Sequence, residues 1–352
     1  MSDNQSTNYN YDLAKEILAK AEVNPPKKFG KKTYFNGLHY TSCPDEKLTY
    51  ASIYLTHKCQ ISCVYCSKHF EMKAVEEGKV KVLSRAEIMK FIDDAKAIGL
   101  KTLIIQGMAE PTEDPYFRDY IKYADSLGII SIVFTNILNL DDDLAAFLFK
   151  HNVSIAPSVD SLTKDVYNYL TTSTYYERFM QSIEVLKRHY GGKDKWADGD
   201  KPRVLLSMVV TSYNIGDIEA IRELCNEQGW LLCSKAFGVK GAAKENFPKL
   251  ACDRDYYTII QKIAMTFADK YMITETSEGK CACGGTKGFL VDIDGTIGAC
   301  GDMLTRVDAN IRTHSVEECL QAKKDYVSKL GDYACLSKAL RGFGDVKDES
   351  EK

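Results

Sequence analysis

Three cysteines stand close together in the run Thr56-His57-Lys58-Cys59-Gln60-Ile61-Ser62-Cys63-Val64-Tyr65-Cys66, with the spacing C-x3-C-x2-C. Thiolates are the usual ligands of iron–sulfur clusters, and a cubane has four irons to hold. Three thiolates on one short loop can wrap three corners. The fourth iron then has no protein ligand and is open to a small molecule. A zinc site would want a fourth nearby ligand and more often shows paired C-x2-C knuckles. His57 could be offered as that ligand, but its spacing suits it poorly. A second group falls at Cys281, Cys283 and Cys300, within CACGGTKGFLVDIDGTIGAC. There an Asp294-Gly295 turn would fold a hairpin and bring the cysteines at its two ends together. The chain has 12 cysteines. In a reducing compartment that count points to metal ligation or redox chemistry rather than to structural disulfides.

The elements around these cysteines alternate. Apolar, β-branched or aromatic runs at 51–55, 102–105, 129–134, 153–156, 204–210 and 231–237 read as strands. Between them, 85–98, 116–127, 141–150, 173–189 and 215–228 carry apolar residues at helical spacing. Repeated β-α units imply an α/β fold with a parallel sheet and helices outside. About six units are visible, short of the eight of a closed barrel. Counting alone does not separate a partial barrel from a flat doubly wound sheet. The first cysteine loop follows the first strand, at the end where parallel barrels carry their chemistry. Residues 1–47 read as an N-terminal extension and 48–250 as the α/β domain. Residues 251–342 read as a smaller unit of hairpin and helix, and 343–352 as a charged, disordered tail.

Composition narrows the class further. Of 352 residues, 45% are hydrophobic and 27% charged, with a net charge of −3, so there is no basic field to attract nucleic acid or an anionic membrane. No apolar run reaches the length of a membrane span, and the polar start MSDNQSTNYNYD is no signal peptide. The expectation is a cytoplasmic protein with no membrane partner.

C-x3-C-x2-C with an aromatic residue, Tyr65, just before the third cysteine resembles the signature of the radical S-adenosylmethionine (SAM) superfamily. The resemblance implies a partial (β/α)6 barrel of TIM-like type. It also implies a 4Fe–4S cluster on Cys59, Cys63 and Cys66 whose open iron binds SAM. The family reduces that cluster, cleaves SAM to a 5′-deoxyadenosyl radical and takes a hydrogen atom from substrate. A flavodoxin or ferredoxin would supply the electron. Further stretches resemble the family's SAM-binding turns. Gly107-Met108-Ala109-Glu110-Pro111 follows the second strand, with Met108 and Ala109 where glycines are usual. Thr135-Asn136-Ile137 is similar to a Thr-Asn-Gly pattern with its glycine lost. Ser158 and Asp160 fit a Ser-x-Asp pattern, and Asn214 a polar position after the fifth strand. By resemblance, Tyr65, Gly107, Glu110, Asn136, Ser158, Asp160 and Asn214 are the SAM-site residues.

Cys283, Gly295 and Cys300 resemble the opening of the SPASM/twitch extension of these enzymes, which binds auxiliary clusters. The longer C-x2-C-x5-C-x3-C run of a full SPASM domain does not follow. The resemblance therefore implies the shorter twitch type, with one auxiliary 4Fe–4S cluster on Cys283, Cys300 and Cys335 and with Cys281 as fourth ligand. A zinc site or a pair of buried thiols is the alternative for this group. Cys319 falls within a helical stretch and reads as packing. Cys233 and Cys252 are candidates for returning a hydrogen atom to a substrate radical. An auxiliary cluster suits net oxidation: dehydrogenation, epimerisation or bond formation. The 58 residues before Cys59 lack a strand–helix winged pattern. This favours a small-molecule, natural-product substrate over a ribosomal peptide. A non-catalytic zinc or iron–sulfur protein is the reading from another class.

Overall fold

In a computed structural model, the structure describes residues 35–37, 48–235, 237, 241–251, 288–299 and 306–328. Six parallel strands follow one another: β1 (Tyr50–Tyr54), β2 (Thr102–Gln106), β3 (Ile130–Thr135), β4 (Ser154–Pro157), β5 (Leu205–Val209) and β6 (Leu231–Lys235). β1 to β4 pair in that order, with Tyr54 beside Gln106 and Thr135 beside Pro157. Single parallel bridges, Ile155 to Val204 and Ser158 to Ser207, carry the sheet across to the β5–β6 pair. Intervening helices are α1 (His69–Glu76), α2 (Arg85–Ala97), α3 (Phe117–Ser126), α4 (Asp142–Lys150), α5 (Lys164–Thr171), α6 (Tyr176–Tyr190) and α7 (Ile218–Gln228), with α8 (Ala242–Leu250) after β6. This is the six-unit α/β architecture expected, and it resolves the choice between barrel and flat sheet in favour of a curved, TIM-like partial barrel.

Period-two alternation divides each strand between two apolar layers. Residues such as Leu103, Ile105, Val133, Leu206 and Leu232 pack outward with Phe91, Ile121, Leu148, Ile183 and Ile221 from the helices. Ile104, Ile132, Leu205 and Leu231 point the other way and meet Phe35 inside the barrel. Asn36 anchors this plug. Its backbone N–H donates to the Pro202 carbonyl at 3.0 Å, and its side-chain amide donates to Ser154 Oγ at 3.0 Å. Part of the stretch read as an extension thus closes the barrel floor.

Local signals set several helix ends. Ser84 caps α2 in a capping box with Glu87, and Asp141 caps α4 by accepting from Leu144 N–H at 2.8 Å. The short helices α1, α5 and α8 were not legible as separate elements.

Hairpin strands β7 (Gly288–Val291) and β8 (Thr296–Gly298) turn at Asp294-Gly295, as expected, and β9 (Arg306–Asn310) pairs with β8. β7 also pairs in parallel with β1, so hairpin and barrel share one sheet, ordered β4-β3-β2-β1-β7-β8-β9. α9 (Val316–Ser328) follows and buries Cys319 completely, in keeping with a packing role. Residues 252–287, at the start of the smaller unit, and the tail 343–352 lie outside the described residues. Among the described residues, no helix is long and apolar enough to cross a membrane.

Candidate active site

The loop after β1 carries the three cysteines; three separate elements pin its backbone, and a fourth holds its side chains. Ser62 N–H donates to the Thr171 carbonyl at 3.2 Å and Val64 N–H to the Leu170 carbonyl at 2.9 Å, both at the end of α5. From the other side, Ala242 N–H donates to the Cys66 carbonyl at 3.0 Å and the Asn246 amide to the Val64 carbonyl at 2.9 Å, both from α8. Glu110 N–H reaches the Lys58 carbonyl at 3.0 Å. The Asn136 amide donates to Gln60 Oε1 at 3.0 Å and lies 3.8 Å from Cys59 Sγ. Such pinning holds ligands in place before any metal arrives, which is what a site of fixed geometry requires.

Cys59, Cys63 and Cys66 line one cavity of about 330 Å³ at the C-terminal end of the strands. Tyr65, Gly107, Glu110, Asn136, Ser158 and Asp160 line it too, so nine of the sequence-selected residues meet in one place. Desolvation pushes all three thiols up, Cys59 to about 11 even though that residue keeps contact with solvent. The thiols therefore stay neutral until a metal displaces their protons. Among the described residues, no three His, Cys, Asp or Glu side chains are arranged around a single metal ion. A cubane asks for something else: one thiolate at each of several separate corners. Three thiols spread along the wall of a roomy cavity fit that group.

The turn after β2 is built around two constraints. A Cβ on Gly107 would lie 1.6 Å from the Ala109 carbonyl oxygen, so only glycine fits there. Met108 and Ala109, by contrast, avoid the left-handed region, and the glycines expected at those positions are not needed. Glu110 is buried, and burial raises its pKa. Its carboxylate accepts from Thr112 N–H, Thr112 Oγ1, Thr135 Oγ1 and Asn136 N–H, which offsets part of that rise. These bonds tie the β2 and β3 turns together.

Beyond Asn136 the backbone is strained. Ile137 has φ of 57°, where the family-like pattern carries glycine. Thr135 Oγ1 accepts from Ile137 N–H at 2.9 Å and Asn136 Oδ1 from Leu138 N–H at 3.0 Å, and the side chain is buried in the core. Packing and hydrogen bonds together hold a conformation that the residue type disfavours.

Tyr65 donates its hydroxyl to Asp160, whose other oxygen accepts from Val209 N–H at 2.7 Å. Burial pushes Asp160 up to about 6 against these bonds. Asn214 does not reach the cavity. It is fully buried, accepts from Thr211 N–H at 2.6 Å and Thr211 Oγ1 at 3.0 Å, and donates to the carbonyls of Asp160 and Val209. Its polar atoms staple β4 to β5 and leave nothing to offer a ligand. Cys233 lies on the interior face of β6, against the apolar plug and below the cavity lining. Cys252, Cys281, Cys283, Cys300 and Cys335 lie outside the described residues.

Several lining residues were missed: Tyr54, Gln106, Phe134, Tyr167 and Lys235 among them. One signal was available. They include the last inward residues of four strands, and a lysine ending an apolar run is unusual.

Residues 53–225 match the sequence model of the Radical SAM superfamily. That stretch is a radical SAM domain. The family implies a 4Fe–4S cluster and SAM, which the three cysteines and the cavity suit. Among curated relatives, the chain is 25% identical over 181 residues to a probable GTP 3′,8-cyclase of Methanothermobacter marburgensis, covering 51% of this chain and 54% of that one. It is 21% identical to an S-adenosylmethionine-dependent nucleotide dehydratase of Flammeovirga pacifica, over 64% of this chain and 75% of the relative. The chain thus spans about half the length of the cyclase. Among solved structures, anSMEcpe with bound AdoMet superposes with a TM-score of 0.57 at 16% identity, over 80% of this chain and 83% of that one. Streptococcus suis SuiB bound to S-adenosylmethionine gives 0.52 at 14% identity, over 78% and 64%. At such identities these likenesses speak for the fold.

Proposed function

We propose that this radical SAM enzyme abstracts a hydrogen atom from a small-molecule substrate, with an auxiliary cluster on Cys281, Cys283, Cys300 and Cys335 aiding its oxidation. The observation that carries the reading is the meeting of Cys59, Cys63 and Cys66 with Glu110, Asn136, Ser158 and Asp160 around one cavity. When bound, the reduced cluster and SAM supply a carbon-centred radical that removes hydrogen from an unactivated carbon. The chain's own residues hold and shield. Cys59, Cys63 and Cys66 are the cluster ligands, and Gly107, Glu110 and Asn136 shape the wall beside them. Ser158 and Asp160 present polar atoms at the end of β4, with Asp160 fixed by Tyr65 and Val209. Tyr54, Phe134 and Phe237 exclude water from the cavity, which protects a reactive intermediate.

A peptide substrate is the second reading. SuiB is also solved bound to its precursor peptide SuiA, and anSMEcpe with a Cp18Cys peptide. The nucleotide enzymes named among the sequence relatives favour a small molecule.

The test compares wild type with a Cys59/Cys63/Cys66→Ala variant, both reconstituted anaerobically. About eight irons per chain in wild type, about four in the variant, and SAM cleavage by wild type alone are expected. Zinc in place of iron with no SAM cleavage overturns the proposal. About four irons in wild type and none in the variant removes the auxiliary cluster but keeps the catalytic one.

A further inference from the structure

Lys235 ends β6, on the strand face shared by Leu231 and Cys233, which point into the barrel. It therefore stands at the top of the interior, and it lines the cavity. Its ammonium group lies 5.3 Å from the centre of the Phe134 ring. Among the described residues, no hydrogen bond or ion pair reaches it. Asp160 is the acid whose charge it feels, but both oxygens of that carboxylate are taken, by Tyr65 and by Val209 N–H. The second cavity acid, Glu110, accepts four hydrogen bonds from the turns beside it. The second cavity lysine, Lys68, already has a carboxylate within reach, Glu71 at 3.7 Å.

Gln106 ends β2 and lines the same cavity. Its side-chain Nε2 is shielded from solvent and, among the described residues, has no hydrogen-bond partner. A shielded amide donor left unpaired costs roughly 1–3 kcal/mol. The Lys235 ammonium, half-buried beside the Phe134 ring and with no bonded acceptor among the described residues, keeps its N–H donors for a ligand. The cavity thus offers a neutral donor with no partner among the described residues and a cation with no bonded acceptor among them, while both of its carboxylates already accept hydrogen bonds from the protein. A ligand that satisfies both must bring hydrogen-bond acceptors, because Lys and the amide NH₂ only donate, and the charge on the ammonium favours acceptors that carry negative charge.

We propose that Lys235 and the Gln106 amide form the subsite for an oxyanion of the substrate, a carboxylate or a phosphate. The assignment rests on the radical SAM reading above and deepens it: the substrate is an anionic small molecule, held by its acid group against β6 and β2. Lys235 gives the attraction, Gln106 gives direction, and the Phe134 ring lies against the ammonium.

The test uses the full-length, anaerobically reconstituted protein with saturating SAM. Sodium pyrophosphate and sodium succinate are each titrated calorimetrically into wild type, Lys235→Gln and Lys235→Arg, and SAM affinity is measured separately on all three. Wild type binds one of the two probes. Lys235→Gln weakens that binding at least tenfold, Lys235→Arg restores it to within about threefold, and the shift in SAM affinity is much smaller than that for the probe. Binding of pyrophosphate alone assigns a phosphate, and binding of succinate alone a carboxylate. The proposal is overturned if neither probe binds wild type, or if Lys235→Gln binds it as tightly as wild type. It is overturned equally if the variant loses affinity for SAM rather than for the probe, since Lys235 would then serve the SAM carboxylate. Failure of wild type to take up iron or cleave SAM would instead sink the radical SAM reading, and that outcome is read in a separate measurement.

Discussion

Gly241→Ala should loosen the cysteine loop from outside the cavity. Gly241 precedes α8 with φ of 59° and ψ of −140°, a combination nearly confined to glycine. An added Cβ would lie 2.7 Å from the Cys66 carbonyl oxygen and 2.8 Å from the Ser67 carbonyl carbon and oxygen. These are backbone atoms of the cluster loop, and no side-chain rotation relieves the contact. The left-handed backbone alone costs alanine about 1–3 kcal/mol. If α8 backs away, the bond from Ala242 N–H to the Cys66 carbonyl is lost as well, about 0.5–1.5 kcal/mol more. A total of about 2–4 kcal/mol lowers Tm by about 4–8 °C. Gly199→Ala is the control. That glycine also has positive φ, +74°, but a Cβ there meets nothing within 4 Å, so it carries a positive-φ cost without the contact. Thermal unfolding of both variants, and iron retained under a chelator challenge, separate the two effects. Gly241→Ala should melt lower than Gly199→Ala and lose iron faster. Equal melting temperatures and equal iron retention would refute the claim that α8 clamps the loop.

Three further outcomes are expected. In Ile137→Gly, relief of left-handed strain gains about 1–2 kcal/mol, but removing a buried isoleucine side chain costs about 3–5 kcal/mol. The variant should therefore melt lower than wild type, and a higher Tm would show that strain dominates. Asn214→Ala unpairs buried groups at the ends of β4 and β5 and should cost about 2–4 kcal/mol in urea unfolding; a loss under about 0.5 kcal/mol would remove its role as a staple. Hydrogen bonding from Arg312 holds the Glu87 carboxyl down at about 2, below its ordinary 4.5. The pair's contribution is therefore full above pH 4.5 and is lost as pH falls from there toward 2. Because both partners are partly solvated, Glu87→Gln should lower Tm by only about 1–3 °C at pH 7. That difference should shrink on acidification through this window, and a difference that grows instead would contradict the sign.

Much of the site could be read before folding because its chemistry is local in the chain. Cys59, Cys63 and Cys66 occupy one loop, and a ligand set that close in sequence stays close in any conformation. Strands and long helices were legible for a similar reason: the period of their apolar residues reports the face each must bury. α1 and α5 run only eight residues, too few turns for such a pattern to stand out, and α8 carries Pro248 inside it, a residue that reads as a helix breaker. Tertiary structure decided what depends on direction rather than order. Asn214 and Asp160 both look like polar residues at strand ends. Pairing of β4 with β5 turns the first wholly into protein hydrogen bonds and the second into the cavity. Phe35 reads as part of an extension, yet the barrel floor needs an apolar plug and takes it. Gln106 and Lys235 lie 129 positions apart, and no spacing rule links them. Closure of the sheet brings both to the top of one interior, where a donor with no partner among the described residues becomes a demand for a ligand. Composition and period determine which residues are buried. Only the pairing of strands determines which polar atoms are left unanswered, because that depends on neighbours the chain supplies from far away.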